Sequence, residues 1–153
     1  MPKIDIENAP TRIGASYPEP YRSRVGALLR RQLGDAAGLT QFGVNLSTLE
    51  PGCVSALRHW HETEDELVYL ISGEVVLAED DGETVLRPGD AAGFKSGVAN
   101  GHHLVNRTDQ PATFLEIGSR IPDERAHYPD DDLAYHKQAG VVSFTRKDGS
   151  AVE

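Results

Sequence analysis

Apolar and polar residues alternate through the middle of this chain, and turn signals interrupt the alternation at near-regular intervals. From Gln41 to Glu50, Phe42, Val44, Leu46 and Thr48 fall on one side of an extended segment, and Pro51-Gly52 ends it. Further strands are predicted over Leu57 to His61, Glu66 to Ile71, Glu74 to Ala78, Thr84 to Leu86, Ala91 to Phe94, His102 to Asn106 and Ala112 to Ile117. Asp80-Asp81-Gly82 reads as a hairpin turn, since aspartate and glycine accept positive φ. Periodicity cannot separate helix from strand in the short run Val25 to Leu33. The Gly34-Asp35 that follows at once, and the β-rich sequence beyond it, favour strand. Short strands at this spacing predict an all-β sandwich or barrel.

The flanks read differently. Residues 1–24 carry Pro2, Pro10, Pro18 and Pro20 with little periodicity, which predicts an extended arm lying over the domain or over a partner subunit. Residues 25–120 hold the strand pattern. Residues 121–153 are polar, with Pro122, Pro129 and the run Asp130-Asp131-Asp132, and are expected to form a solvated tail to which Val141 to Thr145 can add one edge strand. A length of 153 residues suits one domain with a real core.

Composition narrows the function classes. A net charge of −9 argues against a nucleic-acid partner, whose phosphates demand basic surface, but leaves a small-molecule pocket open. Cys53 stands alone, which excludes an intramolecular disulfide and argues against a thiolate metal cluster; it is expected to be a small half-buried residue after a turn. The first residues lack the apolar run of a signal peptide and no segment reaches membrane-spanning length, so no membrane partner is expected and a cytoplasmic location is the expectation.

The chemistry concentrates in His59-Trp60-His61-Glu62-Thr63-Glu64-Asp65-Glu66. On a strand His59 and His61 share a face, and Glu66 returns to it if residues 62–65 turn into the next strand. Two imidazoles and a carboxylate then form an incomplete metal site. Trp60 and Tyr69 fall on the outer face as packing or dimer-contact residues, and Glu62, Glu64 and Asp65 are expected to be solvated.

The surroundings of these residues resemble the first motif of the cupin superfamily: Gly52, then His59-x-His61, Glu66 and Gly73. The gap after Gly52 is one residue longer than usual. Gly89-Asp90, Gly97, His102 and Asn106 resemble the second motif, with Lys95 where proline is usual and two extra residues before His102. The resemblance covers about residues 40–118, and more narrowly the chain is similar to small bacterial cupins, some of which carry sugar-phosphate isomerase labels. It implies a double-stranded β-helix barrel, with motifs at 52–73 and 89–106 and with His59, His61, Glu66 and His102 as ligands of one divalent metal ion, such as zinc, iron, manganese or nickel. His103 is the rival of His102, on the opposite face. Asn106 either fixes backbone at the site or ends a strand.

A homodimer is expected because an open sheet edge is a liability that the proline-bearing arm at residues 1–24 can cover across subunits. The resemblance further implies a small-molecule ligand. Its sharpest functional version is a metal-dependent isomerase or epimerase of a sugar phosphate. The alternatives are a non-haem iron dioxygenase, whose ligand set in several cupins is three histidines and a glutamate, and a non-catalytic ligand-binding or sensing module. Glu116, Lys95, His127, Tyr135 and His136 are chemically able to act as a base, and Lys95, Arg58 and Arg107 are available to a phosphate, but spacing selects none of them.

Overall fold

The computed structural model describes residues 2–152. The strands are β1 (Thr11–Ile13), β2 (Leu28–Gln32), β3 (Phe42–Leu49), β4 (Trp60–His61), β5 (Glu66–Ser72), β6 (Val75–Glu79), β7 (Gly82–Leu86), β8 (Ala91–Phe94), β9 (His103–Val105), β10 (Ala112–Ser119), β11 (Glu124–His127), β12 (Ala134–Gln138) and β13 (Val141–Thr145). Helix is confined to a 3-10 turn at Arg22–Arg24 and one short α-helix, α1 (Leu33–Ala36), where Gly34-Asp35 ends β2. All strand pairs among the described residues are antiparallel, consistent with the barrel that the strand pattern predicts and the double-stranded β-helix that the resemblance implies.

One wall is a six-stranded sheet in the order β1-β2-β3-β10-β5-β8. The opposing wall has two pieces, β7-β6-β9 and β13-β12-β11-β4. They are joined where His59 and His102 exchange both backbone hydrogen bonds, at 3.2 and 2.9 Å. Alternation decides which side chains enter. On β3, Asn45, Ser47 and Leu49 point inward, while Phe42, Val44, Leu46 and Thr48 share the outer face. Leu67, Tyr69 and Ile71 of β5 are likewise outside and exposed.

Two apolar clusters fill the interior. One is aliphatic: Leu28, Leu49, Leu70, Val75, Leu77, Leu86 and Leu104, closed by Phe114. Its hairpins are tight. At Gly73, φ is +80° and an added Cβ would lie 2.7 Å from the Pro111 carbonyl oxygen, so only glycine fits. The other cluster is partly aromatic: Tyr17, Val25, Leu57, Ala126, Tyr128 and Leu133, with Tyr135 and Phe144 against it.

That second cluster changes the reading of both flanks. The arm adds β1 to the sheet of its own chain and buries Tyr17. The expected solvated tail is instead a meander, β11-β12-β13, paired through β11 with the histidine strand β4. Val141–Thr145 does form the edge strand, beside β12. The acidic run is a tether, since Asp130 binds Arg58 and Asp131 binds Arg24. These strands bury alternate residues among charged ones, Glu124 and Ala126 inside and Arg125 outside, so their apolar signal is too thin to announce them.

Candidate metal centre

The turn between the two motif strands is held from several sides. The Glu124 carboxylate accepts the backbone N–H groups of Glu62 and Thr63 at 2.9 and 3.0 Å, and the Thr63 hydroxyl. Asp65 accepts the Ser96 N–H at 2.8 Å, and the Asp65 N–H donates to Ser119 Oγ at 2.9 Å. The turn therefore delivers Glu66, first residue of β5, to the face that carries His59 and His61.

Glu66 sits among three imidazoles. Its oxygens lie 3.6 Å from His59 Nε2, 3.3 Å from His61 Nε2 and 2.9 Å from His102 Nε2. His59, His61 and Glu66 each offer a donor atom within 4.8 Å of the others. His102 joins them through Glu66, and its ring stacks on Phe94 at 3.6 Å with 1° between planes. Second-motif spacing thus brings together all four residues that the resemblance names.

The tautomers test whether these residues suit a cation. His59 Nδ1–H donates to the Leu57 carbonyl at 2.8 Å, which leaves the Nε2 lone pair facing a carboxylate. His102 Nδ1 lies 3.5 Å from the Asn100 carbonyl in the same sense. Nitrogen and oxygen lone pairs at these distances repel unless a positive charge, a proton or a metal ion, stands between them. Backbone carbonyls that fix imidazoles from behind are the usual support of metal-ligating histidine. Neutral imidazole and carboxylate also suit borderline divalent ions.

The ionisation shifts agree. Burial opposes the Glu66 carboxylate, but the His102, His59 and His61 hydrogen bonds outweigh it and hold the carboxyl well below its ordinary value. Burial likewise opposes charge on His61, yet Glu66, Glu124 and Glu64 raise its pKa overall. His102 is lowered, mainly by burial.

A second grouping, His61, Glu64 and Glu124, is also compact. Its carboxylates are already engaged: Glu64 binds Lys137 and accepts the Ile121 N–H at 3.0 Å, and Glu124 holds the turn. We therefore assign Glu124 to positioning. Its Oε1 lies 3.7 Å from His61 Nδ1, a buried atom with no hydrogen-bond partner among the described residues. Glu64 is half-buried and ion-paired, not solvated as its loop position suggests.

Other expectations resolve as follows. His103, expected on the face opposite His102, lines the same cavity and anchors to the Ala56 carbonyl at 2.8 Å. Asn106 is fully buried and fixes backbone, donating to Leu49 and Gln110 carbonyls at 2.9 and 2.8 Å. Trp60 packs on His127, their rings 4.3 Å apart. Arg58 and Arg107 are occupied by aspartates and Glu83, and Lys95 lines a smaller pocket of about 200 Å³ that His61 and His102 also line.

Comparison with known proteins places this geometry. A family model described as Cupin domain matches residues 45–118. A crystal structure titled as a sugar phosphate isomerase from a cupin superfamily, from Silicibacter pomeroyi, is 48% identical, covers 99% of this chain and 96% of its own, and superposes with a TM-score of 0.94. The chain belongs to the cupin superfamily. A second structure, from Acidithiobacillus ferrooxidans and provisionally named a sugar phosphate isomerase, is 29% identical over 83% of this cupin and 81% of its own chain, with a TM-score of 0.75. Oxalate decarboxylase OxdC of Bacillus subtilis is 32% identical over 143 residues; this cupin spans 35% of its length.

All four motif residues line one cavity of about 420 Å³ in this cupin, within the range of small-molecule sites of about 300–1,000 Å³. The six-stranded sheet that carries Glu66 also gives this cavity polar side chains. Glu116 Oε2 accepts Arg30 Nε and Ser47 Oγ, both at 2.9 Å, which leaves Oε1 without a partner among the described residues. Tyr17 and Tyr128 close the aromatic side, and burial raises the pKa of both phenols. Tyr135 also lines the cavity, whereas His136 bonds Thr145 Oγ1 at 3.1 Å. No helix among the described residues is long and apolar enough to cross a membrane.

Proposed function

We propose that this cupin is a metal-dependent isomerase of small sugar phosphates, with His59, His61, Glu66 and His102 holding one divalent ion. The observation that carries the reading is the opening of this donor set onto a cavity that also presents a free carboxylate oxygen, Glu116 Oε1. The near-full-length similarity to the Silicibacter pomeroyi protein supports the substrate class. When bound, the ion supplies Lewis-acid polarisation of a substrate oxygen.

The chain supplies the rest. Arg30 and Ser47 fix one oxygen of Glu116, and the other takes a proton from one substrate carbon and returns it to the neighbouring carbon. Atoms balance: one proton passes from carbon to carbon through Glu116, and the hydroxyl proton passes to the former carbonyl oxygen as the two substrate oxygens exchange roles. Tyr128 stays a neutral hydroxyl at ordinary pH and donates to a substrate oxygen. The buried aromatic wall keeps bulk water from competing for the carbanionic electrons.

The test is deuterium exchange by NMR with metal-loaded protein and a panel of sugar phosphates. Wild type is expected to incorporate solvent deuterium and interconvert aldose and ketose. Glu116→Gln should abolish both with metal content retained, and His59→Ala should lose the metal while the barrel stays folded. No exchange across the panel, or carbon dioxide release from oxalate in its place, overturns the isomerase reading. Full metal occupancy in His59→Ala overturns the ligand assignment.

A further inference from the structure

Three arginines line the cavity: Arg12, Arg30 and Arg120. Two are spoken for. Arg30 is buried, pairs with Glu116 at 2.9 Å and donates to the Gly14 and Ser55 carbonyls. Arg120 binds Asp35 and the Leu39 carbonyl. Arg12 has no ion pair or side-chain hydrogen bond among the described residues.

The position of Arg12 makes that vacancy informative. The register of β1 on β2 sets Arg12 directly opposite Arg30. Like charges facing each other across strands destabilise a sheet. The single Glu116 carboxylate offsets Arg30 and leaves the second positive charge uncompensated. Arg12 is exposed to solvent where it lines the cavity, and partial desolvation there, then the neighbouring charge of Arg30, lower its pKa, with Glu116 and Asp35 only partly opposing the shift. Gln32 and Asn45, which pair in register on β2 and β3, line the same wall. Their side-chain amides are also without hydrogen-bond partners among the described residues. A guanidinium and two amides, unengaged and facing one cavity in a protein of net charge −9, form a local donor surface of opposite sign to the whole.

We propose that Arg12, with Gln32 and Asn45, is the anchor for the phosphate of a phosphate-monoester substrate. The proposal rests on the isomerase reading for its substrate and on the cavity wall for its residues. A phosphate offers three acceptor oxygens to the planar guanidinium fork and the two amide N–H donors. The donor cluster and this wall belong to one cavity, so a substrate held here by its charged end presents its carbonyl end to the histidines. The N-terminal arm is then a part of the site that supplies specificity, because β1 is what carries Arg12 into the cavity.

The experiment compares metal-loaded wild type, Arg12→Gln and Arg12→Lys by calorimetric titration with inorganic phosphate and with oxalate, alongside metal content and kinetics on a sugar phosphate and its unphosphorylated sugar. Wild type is expected to bind phosphate more tightly than oxalate. Arg12→Gln should bind phosphate about 10- to 100-fold more weakly, and Arg12→Lys should fall between. Metal content should not change, and kcat/KM should fall for the phosphorylated substrate alone.

Equal phosphate affinity in wild type and Arg12→Gln overturns the proposal, as does loss of metal in Arg12→Gln or a preference for oxalate. Arg12-dependent phosphate binding with no turnover leaves the anchor standing and removes the isomerase reading. Turnover that Arg12→Gln leaves intact does the reverse.

Discussion

The two ends of the barrel are packed with different materials. The aliphatic end, from Leu28 to Phe114, is built by neighbouring hairpins, and the free thiol of Cys53 packs against it. The aromatic end draws on three remote segments: Tyr17 from the arm, Leu57 from the approach to the histidines, and Tyr128, Leu133 and Phe144 from the C-terminal meander. Its rings meet edge to face, Tyr17 with Tyr128 and with Phe144, each at 5.7 Å. Edge-to-face packing buries large surfaces and leaves phenol oxygens available to the cavity beside them. The aliphatic end therefore serves packing and touches the donor cluster through Phe94, whereas the aromatic end divides its residues between packing and chemistry.

Substitutions at each end sharpen that division. Phe114→Ala empties the centre of the aliphatic end and should cost about 3–5 kcal/mol by urea unfolding, with the metal affinity of the folded fraction unchanged. A cost below about 1 kcal/mol would erase the distinction between the ends. Glu124→Gln, in the meander beside the aromatic end, should instead weaken metal binding about 10- to 100-fold in a chelator competition, because His61 loses the carboxylate that faces its Nδ1. Affinity within twofold of wild type would show that His61 is oriented without Glu124.

The smallest effect belongs to the tether of the meander. The hydrogen bond from Arg58 holds Asp130 below the ordinary carboxylate value. A depressed carboxylate contributes stability above its unfolded pKa of about 3.9 and loses it as pH falls through the folded value. The pair is partly exposed, so Asp130→Asn should lower stability at pH 7 by no more than about 1 kcal/mol, and the difference from wild type should vanish on acidification below the folded value. A difference that persists at the lowest pH would place the contribution of Asp130 in packing rather than charge.

The sequence makes the aliphatic end legible because β3, β5, β6 and β10 are rich in β-forming apolar residues and their turns carry glycine, proline or aspartate at the positions that need them. The four residues at the donor cluster are legible because motif spacing survives even where the second motif has two extra residues. Glu124 and Glu64 are not. Each looks like an ordinary surface carboxylate, and only long-range pairing buries one under the 62–63 turn and sets the other against Lys137. Arg12 escapes for a related reason: nothing in a proline-bearing arm says which of its side chains turns inward until β1 takes its register on β2.

The backbone exchange between His59 and His102 has a consequence for how such proteins diversify. These two hydrogen bonds, at 3.2 and 2.9 Å, use only main-chain atoms, so the seam that joins the two pieces of the wall is indifferent to the side chains that sit on it. Either histidine can be exchanged for another residue without unpicking the seam. A lineage can therefore retune its donor set, and with it the preferred ion, while inheriting the same container. Reactivity can change at these positions without a change of architecture.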